Sequence, residues 1–357
     1  MRGSDDGSKR LAPHISDSLA VRAKRRGKLV VRILCVTNMY PSPQRPGSGA
    51  FVWHQVEQLR RLGHTVDVID ILGFQSKMNY LRGALDVMRM TSAAAYDIVH
   101  AHYGYSAYPA MFRLQAPLVI TLHGTDVVGI GNIFERLCTR AVSHFADAVI
   151  LVSEEMRRRI PGIVIPCGVD LDVFKPYDRD KARARLGWPK DKHIVLFPFD
   201  PARREKRYDL ARASVDRLVQ EGVDAELMTV FTVAHSEMPW CYSAADAMLL
   251  CSDQEGSPTS IKEALACNRP VVATEVGDVG ELLGDIAGTR ICPPDAGTIA
   301  RNLREVLDWS RSSEFRGRAA MARYDQALTV EKIVGVYADV LSNCRARTVG
   351  RRLLRSG

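Results

Sequence analysis

The sequence has no run of about 18 apolar residues, the least that crosses a bilayer as a helix, so no membrane-spanning helix is expected. Its eight cysteines stand singly, at positions 35, 138, 167, 241, 251, 267, 292 and 344. They form neither a Cys-x-x-Cys pair nor a Cys/His cluster with zinc-site spacing, and read as small core residues of a reducing cytoplasm. The Gly-x-Gly-x-x-Gly turn of a dinucleotide fold is missing after the first apolar run, which disfavours hydride transfer. Residues 1–32 lack the apolar core of a secretion signal. Neither end of the chain interleaves aromatics with its basic residues, so nucleic acid is not expected as a partner.

What is present is an ordinary globular composition, 46% hydrophobic and 25% charged, in 357 residues, enough for two domains. The net charge of +8 is concentrated at the ends. Residues 1–32 carry nine Lys or Arg against three Asp, and 344–357 carry five Arg and no acid, so the body between them is acidic. Such ends either contact an anionic bilayer or stay solvated; composition favours disordered basic tails over 1–27 and 346–357.

Residues 28–37 are an apolar run suited to a buried parallel strand. Turn formers fill 38–50, and Val52, Val56 and Leu59 then share one helical face before Gly63. With a second strand over 64–72 this makes a β-loop-α-β unit of a doubly wound sheet. Three more strands are expected at 96–102, 117–126 and 146–153, each turning polar at its C-terminal end. In a parallel sheet that edge collects ligands, so His100, His102, His123, Thr125, Asp126 and Ser153 would border one crevice. The alternation repeats with strands at 193–199, 225–231, 247–251, 270–274 and 289–292, and a helix over 331–343 closes the chain.

The centre of the chain is the stretch 251–270. Pro258 suits the first helical position, Ser257 before it suits the cap, and Asn268 suits a left-handed stop, giving a helix of roughly ten residues. The unpaired amides of 258–261 offer a seat for phosphate. Ile261, Ala264 and Leu265 can bury one face, leaving Glu263 on the flank toward a cleft. Two readings follow. In one, a nucleotide sugar binds with its diphosphate at Ser257, Pro258, Thr259 and Ser260, its ribose hydroxyls on Glu263 and its sugar near Glu255. In the other, two surface glutamates flank an ordinary helix. Spacing does not decide, because chance alone gives about 0.6 Glu pairs at this separation in a chain with this glutamate content.

The flanks, 244–252 and 270–283, decide. With the Glu pair they resemble the C-terminal half of retaining glycosyltransferases of family 4, which carry an E-x7-E element; the resemblance covers about residues 28 to 345. It implies an α/β chain of the GT-B fold, two Rossmann-like doubly wound domains facing a central cleft. On it, 28–166 would be the acceptor-side domain, 167–330 the nucleotide-sugar domain, and 331–345 a helix returning to the first domain. Gly47 and Gly49, followed by Gly63-His-Thr-Val-Asp-Val68, are similar to the family's opening pattern, in which the backbone approaches donor phosphates or sugar. On their own, these glycines equally suit a flexible turn. The segment 121–126 is similar to the one whose histidine, here His123, contacts the donor sugar. The segment 163–176 is similar to the passage between domains, with Cys167 where asparagine is usual and with Val169 and Phe174 as apolar anchors.

The resemblance further implies transfer of a sugar from a nucleoside-diphosphate donor to a hydroxyl acceptor with retention at the anomeric carbon. It implies no cofactor and no divalent metal. Cations would instead stabilise the departing diphosphate. Arg203 and Lys206 are the candidates; relatives often place the lysine five residues after the arginine rather than three, and Arg204 or Arg207 could take either part. The Asp-x-Asp pairs, 170–172 in the passage and 178–180 before a helix, are unconvincing as metal sites. The rivals are another GT-B enzyme, such as a phosphorylase or an epimerase, and a non-catalytic scaffold that binds nucleotide sugar. A cytoplasmic location is expected, with contact to the inner face of an anionic membrane through the basic tails as a further option.

Overall fold

The computed structural model describes residues 29–42, 45, 47–128, 133–284, 286–312 and 315–353. The basic tail expected over 1–27 lies outside the described residues. Two wholly parallel sheets organise the chain. The first runs β2-β1-β3-β4-β5-β6, with β1 at Arg32–Thr37, β2 at Thr65–Asp70, β3 at Ile98–His102, β4 at Leu118–Leu122, β5 at Ala148–Leu151 and β6 at Ile163–Val164. The second runs β11-β10-β9-β7-β8, with β7 at His193–Phe197, β8 at Ala225–Thr229, β9 at Ala247–Leu250, β10 at Val271–Thr274 and β11 at Arg290–Cys292. The longer helices include α1 (Ala50–Arg61), α2 (Met78–Ala93), α3 (Tyr208–Gln220), α4 (Thr259–Ala266), α5 (Ala296–Ser312) and α6 (Gln326–Leu353).

Successive strand residues face opposite ways, and both faces of each sheet are covered, which is why the strands read as continuous apolar runs. In the first sheet Ile33, Cys35, Ile98, Val119 and Ile150 pack against Val52, Val56 and Leu59 of α1 and against Val330, Ile333, Val336, Tyr337 and Val340 of α6. The last helix therefore packs on the first sheet. In the second sheet Val195, Phe197, Leu249 and Val272 face α3 and α5, while Leu196, Met248, Leu250 and Ala273 face Ile261, Ala264 and Leu265 of α4. Val169 and Phe174 of the connecting segment are buried in that same core.

Three expectations need correction. The closing helix is longer than 331–343: it starts at Gln326, where the Asp325 carboxylate accepts from the Ala327 amide (2.9 Å), and runs to Leu353. Nothing in 344–349 interrupts helical hydrogen bonding, so the basic segment from 346 is helical to Leu353 rather than a separate tail. Strand β6 comes from a segment read only as a passage between domains; two residues are too few for a period to register. The helix α4 has eight residues rather than about ten: Pro258 is its cap rather than its first residue and Cys267 already closes it, one residue before the left-handed Asn268 at φ 53°.

The second domain also contains a fully buried arginine. Arg183 donates to the carbonyls of Ala244 (2.8 Å), Pro189, Lys190 and Lys192 (2.9 Å each) and to Asp246 Oδ2 (2.7 Å). Arg183→Ala leaves four carbonyls without their buried donor and removes one of the two arginines, with Arg179, that hold the half-buried Asp246 carboxylate. Urea unfolding should show a loss of about 3–5 kcal/mol; a loss below about 1 kcal/mol would mean that the pair is not stabilising.

Candidate active site

The C-terminal edges of the two sheets face one another, and the chain passes between them with almost no side chain at the closest point. Gly124, at φ 117°, follows β4, and a Cβ there would lie 2.5 Å from Gly256 Cα. A Cβ on Gly256 would collide with the His123 carbonyl. Only two glycines let these backbones meet. This contact places His123, from the first domain, beside the loop that carries Glu255.

Glu255 lies between β9 and α4, half-buried. Its Oε1 accepts from Lys206 Nζ at 2.5 Å and from Ser252 Oγ at 2.7 Å. Lys206, buried in a short 3-10 turn at Arg204–Lys206, also places Nζ 4.5 Å from the Phe199 ring centre. The other cations of this loop are arranged differently. Arg203 is exposed and pairs with Glu205. Arg207 has φ 53° and binds Asp209 and Asp253, and Arg204 is exposed.

His123 is half-buried between the Phe51 and Tyr103 rings, each 4.7 Å away centre to centre. Its backbone amide and that of Gly124 donate to Asp126 Oδ1 at 3.1 and 3.0 Å, and Gly104 N donates to Asp126 Oδ2 at 3.2 Å. Asp126 thus clamps the loop, and burial pushes its carboxyl up to about 6 despite those amides. Behind His123 stand His102 and His100, stacked at 5.3 and 4.4 Å between successive ring centres. Burial depresses all three imidazoles, so they are neutral; His100 bonds Tyr337 OH (2.6 Å) and Thr121 Oγ1 (2.7 Å) rather than His102. Gln55 Nε2 lies 3.4 Å from His102 Nε2, and His102 Nδ1 lies 3.1 Å from His123 Nε2. With the Gln55 amide nitrogen as donor, His102 donates onward and His123 keeps its own proton on Nδ1, toward Cys167 at 3.9 Å.

The helix α4 begins at Thr259, with Pro258 at the cap position and no side-chain cap bond. Ser257 is therefore not the cap. Its hydroxyl donates to Asp278 Oδ2 and accepts from Lys262 Nζ, both at 2.5 Å, because a buried lysine and a buried aspartate compete for it more strongly than a backbone amide. Lys262 Nζ also reaches the Cys167 carbonyl at 2.7 Å, tying the helix to the connecting segment. Thr259 and Ser260 sit half-buried in the first turn, whose amides have no partner within the helix. One turn on, Glu263 is buried and accepts from His235 Nε2 (3.0 Å) and Tyr242 OH (2.9 Å).

The described contacts thus join His123, Lys206 and Glu255 around the glycine contact, with Glu263 farther along α4. They do not bring in Gly47, around which a Cβ would meet nothing, or Arg203. Gly49 is needed for a different reason: at φ 63° it turns the chain into α1, and any Cβ would collide with the Met39 carbonyl. Sequence reasoning missed Ser252, Lys262, His235, Tyr242 and Asp278, which carry no period or motif of their own. Among the described residues no group of His, Cys, Asp and Glu is arranged to hold a metal ion.

Two parallel sheets edge to edge, with a paired lysine and glutamate and a helix N-terminus at the crevice, define a GT-B glycosyltransferase. The chain belongs to the family 4 glycosyltransferases: residues 46–173 match Glycosyltransferase Family 4, and residues 204–308 match Glycosyl transferases group 1. It is similar to the glycosyltransferase TuaC of Bacillus subtilis (strain 168), named for teichuronic acid biosynthesis, at 27% identity over 76% of this chain and 87% of the relative. It is also similar to D-inositol 3-phosphate glycosyltransferase of Mycolicibacterium smegmatis, at 28% identity over 73% of this chain and 71% of the relative. Among solved structures, sucrose-phosphate synthase from Thermosynechococcus elongatus matches with a TM-score of 0.72 at 20% identity, covering 88% of this chain and all of that one. Anabaena Alr3699/HepE in complex with UDP and glucose matches with a TM-score of 0.64 at 16% identity over 88% of this chain and 100% of the other.

Proposed function

We propose that this glycosyltransferase moves a sugar from a nucleoside-diphosphate donor to a hydroxyl acceptor, with retention at the anomeric carbon and without a divalent metal. The observation that carries the reading is the Lys206–Glu255 pair, set beside the N-terminus of α4 with Glu263 farther along the same helix. The diphosphate would rest on the first-turn amides near Thr259 and Ser260, the ribose hydroxyls on Glu263, and the sugar between Glu255 and His123. As the bond from the anomeric carbon to the diphosphate breaks, charge grows on the departing oxygen, and Lys206 Nζ has N–H groups beyond the one given to Glu255. The acceptor oxygen bonds the same carbon from the same face, and its proton passes to the departing phosphate oxygen. The protein contributes position, water exclusion and fixed charge.

The test is a thermal-shift panel of UDP, GDP, ADP and TDP and their sugar conjugates, with and without EDTA. Because Alr3699/HepE has been solved with UDP and with UDP-glucose, the uridine compounds come first. A rise in melting temperature with one base, unchanged by EDTA, is expected. No shift with any nucleotide or nucleotide sugar would overturn the donor-site reading, and a shift abolished by EDTA would refute metal independence.

Peripheral contact with an anionic membrane is favoured by a separate observation. Met78, Leu81, Leu85 and Met88 form an exposed apolar stripe along α2, beside exposed Lys77, Arg82 and Arg89. No helix among the described residues is long and apolar enough to cross a membrane. Leu81→Asp with Leu85→Asp should reduce sedimentation with phosphatidylglycerol vesicles at low salt, and removal of 1–27 should reduce it further. Unchanged sedimentation in both would remove the membrane reading.

A further inference from the structure

Glu263 is held from both domains. His235 belongs to a short turn at His235–Glu237 in the second domain, and its Nε2 lies 3.0 Å from Glu263 Oε1. Its other nitrogen, Nδ1, lies 2.9 Å from His54 Nε2, which comes from α1 in the first domain. Behind His54, Asp170 of the connecting segment approaches Nδ1 at 3.9 Å and is itself 3.5 Å from Arg61 Nη1. Phe174, also of that segment, sets its ring edge-on to His235 at 5.1 Å. On the far side Tyr242 OH donates to Glu263 Oε2.

The protons of this row are ordered from its Glu263 end. Burial alone would raise the Glu263 carboxyl, but His235 and Tyr242 outweigh it and hold it below the usual carboxylate range, so it only accepts. His235 Nε2 must then carry a proton. Burial opposes a charge on His235, yet the adjacent Glu263 raises it above the ordinary imidazole value. Burial and the His235 charge together depress His54 to about 4, so His54 is neutral. His235 therefore donates through Nε2 to Glu263, and its Nδ1 shares one proton with His54 Nε2 across the domain boundary. His235 and Tyr242 use one acceptor position on each Glu263 oxygen, which leaves the others for a ligand.

We propose that His54 and His235 are a cross-domain positioning pair, so that the carboxylate of Glu263 is fully set for nucleotide only when the first domain closes on the second. The inference rests on reading Glu263 as the ribose acceptor. His54 need not touch nucleotide; it acts through His235. Separation of the domains breaks the His54 bond, while His235 alone still holds Glu263 loosely. Nucleotide affinity and domain closure are thereby coupled through named atoms.

The test is isothermal titration of the full chain with whichever of UDP, GDP, ADP or TDP shifts the parent's melting temperature. His54→Ala is expected to weaken binding about fivefold to tenfold, with only a small fall in the melting temperature of the unliganded protein from the lost bond to His235 and turnover at saturating donor nearly unchanged. His54→Gln, which can still bond His235 Nδ1, should restore most of the affinity. The His54→Ala, His235→Ala double variant should bind no more weakly than His235→Ala alone. Additive losses would show His54 acting separately and overturn the pairing. If His54→Ala binds as the parent does while Glu263→Ala binds weakly, the pairing is refuted and the ribose reading stands. If Glu263→Ala also binds normally, the ribose reading falls and the inference with it.

Discussion

Lys206→Met is expected to lower kcat by roughly 10²–10³, the usual cost of removing one preorganised donor from a developing oxyanion. Three features set this size. The ammonium is buried, so its field is little screened by water. It is fixed on one side by Glu255 Oε1 at 2.5 Å and on another by the Phe199 ring, so it needs no reorganisation when charge develops. Its partner Glu255 would be left half-buried without its cation. The KM for donor should move far less than kcat, because the interaction strengthens as the diphosphate departs. Steady-state kinetics with the donor found in the nucleotide panel measure both. A kcat within about threefold of the parent would put the departing-group cation elsewhere, with exposed Arg203 and Arg204 next in line.

Glu263→Ala is expected to act on the other parameter. Losing hydrogen bonds to an ionised, buried carboxylate should cost about 1.5–3 kcal/mol of nucleotide binding, or roughly 10- to 150-fold in Kd. The residue is 7% exposed, and removal of its carboxylate also strips the acceptor from His235 and Tyr242. Some loss of melting temperature in the unliganded protein should therefore accompany the loss of affinity. Glu263→Gln separates the two effects, since it keeps an acceptor oxygen and the shape but not the charge. Intermediate affinity with near-parent stability is the expected result. Parent-like titration curves for both variants would end the ribose assignment.

Much of the architecture was legible because it depends on short-range pattern. Apolar runs broken by polar residues locate every strand long enough to show a pattern, and the sheet order follows the doubly wound logic of parallel β-α-β units. The glutamate pair and the helix that carries its second member were also legible, and Asn268 follows that helix's end as expected. The fine structure of α4's first turn was not. Ser257 suits a cap by type and position, yet the deciding interactions come from Asp278, 21 residues away, and from Lys262 on the next turn.

The sequence by itself determined two α/β halves, their strands apart from the two-residue β6, the buried face of α4, and the residue types at the crevice. It could do so because period, turn chemistry and helix stops act over a few residues. Tertiary structure alone decided which of those residues meet. His54 and His235 are 181 positions apart, Lys262 and Cys167 are 95 apart, and Gly124 touches Gly256 across the domain boundary. Each of these contacts depends on how one sheet stands against the other. That placement is set by the summed packing of α6, the connecting segment and the facing loops, and no local stretch of sequence encodes it.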